Sequence, residues 1–282
     1  MFRSATLFSL ALASLVARSV ASPVEQLQRR ALTDQGGFYD PRENGGNWLT
    51  LAVNTWPEGL GEPLNIVVSA ESDPLIMTDE GFFDWSQSLE YGRECLGQTD
   101  GERQSANLGD GLGQINQTIL LRYTYGDPYL GTCWETINGG GHYRVWRQNG
   151  TQANSGAWFL AASEEMNLTM NHMIVDNGYD LGRDAVVNTA IQEGGTKSPL
   201  TNRTFTTEVR NATQYFDNIT FWDINHRIAT DGVVKVLTVR VTSNGSVEAT
   251  SGGIATHAIT RSDLYRLSLL GLFSIFALGL LI

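Results

Sequence analysis

The order of apolar and polar residues predicts a chain in which strands alternate with helices. Leu64 to Ser69 is an almost continuous apolar run behind Pro63, which is typical of a strand buried on both faces. Runs of similar length, some continuous and some alternating, predict the other strands. These lie at Thr118–Tyr125, His142–Gln148, Ala157–Ser163, around His172–Val175, and at Val233–Thr242.

Two segments have the spacing of amphipathic helices. In Asp79 to Leu89, Phe82 and Trp85 fall at helical intervals, and Asp79 is the expected N-cap. A second helix is predicted from about Leu181 to Gln192, capped by Asp180. Strands and helices together predict an α+β (or α/β) domain with one mixed sheet against which the helices pack.

The two ends of the chain have the composition of processing signals. Residues 1–21 resemble a secretory signal peptide, with Arg3 before an apolar run and Ser19-Val20-Ala21 as the cleavage site. Residues 22–30 end in Arg29-Arg30, which predicts a propeptide removed by a dibasic-cutting protease. The expected mature domain is therefore 31–251, with its core at about 61–242.

The last residues predict a lipid anchor. The small triplet Ser251-Gly252-Gly253 is followed by a polar spacer and by the uncharged tail Leu267–Ile282. These are the three parts of a GPI-attachment signal, in which residues 252–282 are removed and Ser251 carries the lipid. A C-terminal membrane helix is the alternative, although sixteen residues are short for one.

The net charge of the expected mature domain narrows its possible partners, and its cysteines predict a disulfide. Residues 31–251 contain thirteen Lys or Arg against twenty-eight Asp or Glu, a net charge near −15, which argues against nucleic acid as a partner. The two cysteines, Cys95 and Cys133, are expected to pair in an oxidising compartment. Such a bridge stabilises by roughly 3–4 kcal/mol on the loop-entropy model.

Seven Asn-X-Ser/Thr sequons predict a glycoprotein and place their loops on the surface. They are Asn116, Asn149, Asn167, Asn202, Asn211, Asn218 and Asn244.

Several short motifs, in this order, resemble the LssY C-terminal domain family. They are Gly61–Asn65, His142–Trp146, Trp158–Ser163, His172, Arg183-Asp184 and Thr230–Gly232. The chain is more similar still to secreted fungal proteins that share the ANLGDG, WRQNG and NGYDLGRD runs. In the bacterial family the histidine of the fourth motif is usually doubled, whereas here it is the single His172. The resemblance implies a fold and a candidate site, but not a particular reaction.

The strand at His142 carries the first candidate site residues. Alternation places His142, Arg144, Trp146 and Gln148 on one face, a combination that suits an anionic or sugar ligand because Arg offers a bidentate fork and Trp a stacking plane. The alternative is a solvent-facing strand with a cation–π pair between Arg144 and Trp146.

Arg183 and His172 are the other candidates. Arg183 shares a helical stripe with apolar residues, so it should point partly inward and need an anionic partner from Asp180, Asp184 or Asp231. His172 is either a general base or a core histidine. We find no nucleophile or metal motif and predict no metal and no cofactor; calcium at Asp100 and Asp110 is disfavoured because their spacing matches no known calcium loop.

Three classes of function remain open. The first is a surface glycoprotein that binds a small polar or anionic ligand or a wall glycan. The second is a phosphoester-type hydrolase with His172 as base and Arg144 and Arg183 as anion clamps. The third is a structural coat protein. For the first two we expect His142, Arg144, His172, Arg183 and Asp184 to converge on one pocket, with Trp146 and Asp231 as binding residues.

Overall fold

An eight-stranded mixed sheet is the centre of the computed structural model, which describes residues 36–97 and 102–245. The strand order is β2-β5-β6-β7-β1-β10-β9-β8. Only the β1–β10 pair is parallel among these strands, and the other neighbours are antiparallel. The predicted α+β single domain is therefore confirmed.

The strands of this sheet and of a separate two-stranded ladder have the following bounds. They are β1 Ile66–Val68, β2 Tyr91–Arg93, β3 Ser105–Ala106, β4 Ile115–Asn116, β5 Ile119–Tyr123, β6 Gly140–Asn149, β7 Asn154–Glu165, β8 Thr196–Lys197, β9 Thr204–Ala212 and β10 Val234–Ser243. The ladder pairs β3 with β4.

Three α-helices occur in the described part of the chain: α1 Asp79–Ser88, α2 Gly131–Asn138 and α3 Gly178–Ala190. Short 3₁₀ helices cover Pro41–Asn44, Cys95–Gly97, Leu168–Met170 and Asn225–Arg227. Among the described residues no helix is long and apolar enough to cross a membrane.

The sheet has an apolar core on each face. On one face Phe82 and Trp85 of α1 and Val186 of α3 pack with the β-strand residues Tyr143 and Val145. The other face is covered by segments that precede β1 and follow β9, and its core is aromatic. Its rings include Phe38, Trp48, Trp146, Phe159, Tyr179, Tyr215 and Phe216.

The start of α3 is held against β7 by a close backbone contact. A Cβ added at Gly182 would lie 2.3 Å from the carbonyl carbon of Ser163, so only glycine allows this approach. Buried Asn65 completes the contact, because its amide donates to the carbonyls of Ala162 and Tyr179 and its carbonyl accepts from the N–H of Ala162. The end of β7 is thus fixed in position.

The predicted strand around His172–Val175 is wrong. Ile174 makes a single bridge to Glu165, and the backbone of Asn171 and His172 is left-handed, with φ of 54° and 52°. An extended strand cannot include two such residues. The segment after β7 is therefore a loop that turns back over the end of that strand.

Two predicted helix N-caps are also wrong, and helix α2 was not predicted. Thr78, not Asp79, caps α1 by accepting from the N–H of Gly81. Helix α3 begins at Gly178 behind Asn177, so Asp180 lies within its first turn. Helix α2 has glycine at its start and no side-chain cap, which left no local signal for it.

The disulfide prediction is confirmed, since Cys95 and Cys133 are bonded across 38 residues. The bridge joins α2 to the Cys95–Gly97 turn after β2. All seven sequon asparagines are exposed. The predicted signal peptide, propeptide, Ser251 and the C-terminal tail lie outside the described residues.

We expect removal of the disulfide by the double substitution Cys95→Ala/Cys133→Ala to lower the free energy of unfolding by about 3–4 kcal/mol, because the unfolded chain regains the entropy of an open loop. Urea denaturation measures this change. Wild-type protein treated with reductant serves as the control and should unfold like the variant. Equal stability of oxidised and reduced wild type would contradict the prediction.

Candidate functional site

Strand β6 places its polar residues on one face, as alternation requires. Trp146 lies in the aromatic core, whereas Tyr143 and Val145 lie in the core of the opposite face. His142 and Arg144 share the face of Trp146 and are buried, at 1% and 8% exposure. Both faces of the strand are therefore covered, and its charged groups need partners inside the protein.

A buried ionic cluster provides those partners beside His142. Nη1 of Arg122, on β5, donates to Oε2 of Glu135 on α2 at 2.9 Å and to Oε2 of Glu165 at the end of β7 at 3.2 Å. The side chain of Glu135 is fully buried, and those of Arg122 and Glu165 are 4% and 9% exposed. Three elements distant in sequence thus meet at one guanidinium.

Glu165 also lies between two histidines. Its Oε1 is 3.4 Å from Nδ1 of His142, and its Oε2 is 3.4 Å from Nδ1 of His172. The Nε2 atom of His142 is 3.2 Å from Oγ of Ser163, its partner across the β6–β7 ladder. The carboxylate therefore connects a buried histidine to one beside a cleft.

Burial and mutual interaction alter the acidity of these groups. Burial lowers the pKa of His142 to about 3, so its imidazole is neutral at neutral pH. Burial also raises the pKa of Glu135 to about 7, against the attraction of Arg122. Burial opposes ionisation of Glu165, but the histidines and Arg122 around it lower the pKa of that carboxyl to about 2. Glu165 is therefore the ionised group of the cluster.

A cleft of about 360 Å³ opens next to Glu165. Its charged and polar lining residues come from separate parts of the chain. They are Asn54, Thr55, Glu62, Glu102, Gln104, Arg144, Glu165, Asn171, His172, Asn225 and His226.

Arg144 is held in the wall of this cleft by neighbours on two sides. Its Nη1 donates to Oε1 of Gln117 at 3.0 Å, and its Nε is 3.9 Å from Oε2 of Glu62. The alternative interpretation, a cation–π pair of Arg144 with Trp146, is not seen among the described contacts, in which Arg147 lies over the ring of Trp158.

Two histidines in the cleft have a left-handed backbone. The φ angles are 52° for His172 and 60° for His226, and the lining asparagines Asn54 and Asn171 have φ of 57° and 54°. Asparagine and histidine are among the non-glycine residues that adopt this conformation most readily, so all four residues are compatible with it. Six other described non-glycine residues also have a positive φ, so the case for the cleft depends on its side chains.

A second cavity, of about 220 Å³, carries less chemistry. It is lined by Phe82, Phe83 and Trp158, with Asp79 and Arg93 as its charged residues and no histidine. The cleft at Glu165 is therefore the better candidate site.

Of the five residues predicted to converge on one pocket, Arg144 and His172 line the cleft. His142 is buried and contacts Glu165 in the cleft wall rather than the cleft itself. Arg183 and Asp184 do not line it. The side chain of Arg183 instead points toward the turn before β10, where it donates to Asp231 and to the carbonyl of Val233.

Arg183 is fully occupied by acidic partners and the backbone. It donates to both carboxylate oxygens of Asp231, at 2.6 and 2.9 Å, to Asp180 and Asp184, and to the carbonyl of Val233. Its side chain is 1% exposed. Asp231 is therefore a structural partner of Arg183, which corrects its expected role in binding.

Trp146 is not a binding residue either. The expectation required an exposed ring, but the ring is buried and its Nε1–H donates to the carbonyl of Ile115. The residues before β1 cover this face, which the period of the strand could not indicate.

Asp110 is also explained without calcium, since it accepts from the N–H groups of Asn149 and Gly150, and Asp100 lies outside the described residues.

Four residues of the site were not predicted from sequence patterns: Glu62, Arg122, Glu135 and Glu165. Only Glu165 had a usable signal, because alternation along β7 places it on the face of Phe159 and Ala161, which is also that of His142. Glu135 lies on an unpredicted helix.

Comparison of the chain with protein-family models, with curated proteins and with solved structures found no match. The site is therefore interpreted from its own geometry.

We expect Arg183→Met to lower the free energy of unfolding by about 2–3 kcal/mol, because several charge-assisted hydrogen bonds are lost at a buried position. The matched control is Arg240→Met. Arg240 is half-exposed and pairs with Asp73 at 3.3 Å, so its loss should cost less than about 1 kcal/mol. Chemical denaturation of both variants measures the difference, and equal losses would show that the Arg183 network does not hold α3 to the turn before β10.

Proposed function

We propose that this chain is a cell-surface glycoprotein whose domain binds a small hydroxylated or anionic ligand, such as a wall-glycan sugar, in the cleft beside Glu165. One observation carries the proposal. The cleft wall contains the charged side chains of Arg144 and Glu62, which are at least nine-tenths buried. Each has one atom without a hydrogen-bond partner among the described residues.

The unfilled atoms indicate the chemistry of the ligand. Among the described residues, Nε of Arg144 and Oε2 of Glu62 have no hydrogen-bond partner, and they lie 3.9 Å apart. Nε is a donor and Oε2 an acceptor. Both atoms are covered by protein, so a ligand reaches them only when these side chains shift toward the cleft. A hydroxyl group both accepts and donates, so it could then bridge the two. A buried polar atom without a hydrogen bond costs about 1–3 kcal/mol, which a ligand would recover.

The size and lining of the cleft agree with this ligand class. A volume of about 360 Å³ is at the lower end of small-molecule sites, which suits a ligand of one or two sugar units. The amide side chains of Asn54, Gln104, Asn171 and Asn225 supply further donors and acceptors.

A phosphoester-type hydrolase is the second candidate, and the His172–Glu165 contact favours it. A histidine whose Nδ1 faces an ionised carboxylate has its other nitrogen oriented for proton transfer. In this proposal His172 is the general base and Arg144 the anion clamp. Arg183 has no part in it, because it lies outside the cleft.

We also propose that the protein is exported, glycosylated and held at the cell surface by a lipid attached near Ser251. The exposure of all seven sequon asparagines and the disulfide support this environment. Similarity to the LssY C-terminal domain family remains part of the proposal.

The ligand is best sought with the secreted protein on arrays of wall glycans and by calorimetry with the sugars that bind. We expect Arg144→Met and Glu62→Gln each to weaken binding by at least about tenfold, since one charge-assisted hydrogen bond contributes about 1.5–3 kcal/mol. Arg240→Met, which is remote from the cleft, should bind like wild type.

Two outcomes would contradict the binding proposal. One is sugar binding that is unchanged in both cleft variants, and the other is no binding at all. Turnover of phosphoesters that disappears in His172→Gln would instead favour the hydrolase.

The anchor is tested on intact cells. Phosphatidylinositol-specific phospholipase C should release the wild-type protein, because only the lipid holds it. The control replaces Ser251, Gly252 and Gly253 by Trp, which removes the small residues that attachment requires and should abolish release. Failure of release from wild-type cells, with the Leu267–Ile282 peptide still present in the membrane form, would indicate a membrane helix.

A further inference from the structure

Three potential metal ligands lie together on the inner side of Glu165. Glu135, His142 and Glu165 each offer a donor atom within 4.8 Å of the other two. Ligands that share a cation at about 2.0–2.2 Å lie about 3–4 Å from each other, so small side-chain movements bring these atoms to binding distance. From this geometry we propose that Glu135, His142 and Glu165 bind one divalent transition-metal cation.

Unsatisfied buried atoms support the proposal independently. Among the described residues, Oε1 of Glu135 and Nδ1 of His142 have no hydrogen-bond partner. The side chain of Glu135 is 0% exposed and that of His142 is 1% exposed. Two buried polar atoms without hydrogen bonds are costly in a folded protein, and a cation between them would satisfy both when His142 is the tautomer that carries its proton on Nε2.

The remaining atoms of these side chains are held in place by outer partners. Arg122 donates to Oε2 of both Glu135 and Glu165, while Oε1 of Glu135 has no hydrogen-bond partner among the described residues. Nε2 of His142 faces Oγ of Ser163 at 3.2 Å. When Nε2 donates to this hydroxyl, Nδ1 carries the lone pair toward Glu165. Outer hydrogen bonds of this kind orient metal-binding side chains.

The charges of the cluster also suit a cation. Arg122 compensates one of the two carboxylates, and Arg144 on the cleft side is paired with Glu62. With Glu135 and Glu165 both ionised and His142 neutral, one negative charge remains in the buried cluster.

The ligand types narrow the choice of metal. One imidazole nitrogen with two carboxylate oxygens is typical of Zn²⁺ and similar transition metals, whereas Mg²⁺ and Ca²⁺ prefer oxygen ligands alone. Three protein ligands leave a fourth position open. Glu165 is shared with the cleft, so the cation would lie directly behind the groups that contact a ligand.

The test uses the full secreted protein, purified without chelators and then stripped with one. Titration with Co²⁺ should give a visible d–d absorption that saturates at one equivalent, and Zn²⁺ should displace it. Bound Zn²⁺ should also raise Tm, since a ligand that binds only the folded state stabilises it. These measurements on the wild type do not depend on whether any variant folds.

Variants then locate the site. Glu135→Gln and His142→Gln each remove one ligand. Each should weaken Co²⁺ binding by more than about 100-fold, because loss of an outer hydrogen-bond partner alone can cost roughly that much. Glu164→Gln is the matched control, because Glu164 is next to Glu165 but is not part of the three-residue group. It should bind Co²⁺ like wild type.

The proposal is overturned if stripped wild type gives no saturable Co²⁺ absorption and no rise in Tm with Zn²⁺. Equal binding by wild type, Glu135→Gln and His142→Gln also overturns it, because the metal would then bind acidic surface groups. Sugar binding by the stripped protein is a separate measurement, so the metal site and the proposed function can fail independently.

Discussion

The fold around the cleft depends on the burial of one guanidinium. Arg122 cannot be buried alone, since an unpaired charge in the interior costs several kcal/mol, and Glu135 and Glu165 provide its partners. Each comes from a different element, so β5, α2 and the end of β7 must be in register for the cluster to form. Loss of Arg122 would leave two buried carboxyl groups without its compensating charge, so all three elements depend on this guanidinium.

Two weak elements of this arrangement are supported by contacts distant in sequence. Helix α2 carries Glu135 but is only eight residues long and lacks a side-chain cap. The disulfide at Cys133, half a helical turn from Glu135, fixes this helix to the segment at Cys95. The end of β7 is fixed by the approach of Gly182 to Ser163. The disulfide and the close backbone contact therefore hold α2 and the end of β7 in position, although a short helix has little stability by itself.

The two main arginines of the candidate site show how differently a buried charge can be used. Arg183 has acidic partners or a carbonyl for its donors and serves to join α3 to the turn before β10. Arg144 has an Nε without a hydrogen bond and lies in the wall of a cleft that two histidines also line. We base the binding proposal on Arg144 because a bound molecule could complete its hydrogen bonds.

Local patterns in the sequence were sufficient for most strands, for α1 and α3, for the disulfide, and for the common face of His142 and Arg144, because periodicity and cysteine pairing follow from short-range chemistry. They could not indicate that Trp146 is buried, since the covering residues lie about a hundred positions earlier in the chain. They also could not bring Arg122, Glu135 and Glu165 together. That meeting depends on the order of strands in the sheet and on a helix without a sequence signal, and both are decided by tertiary packing.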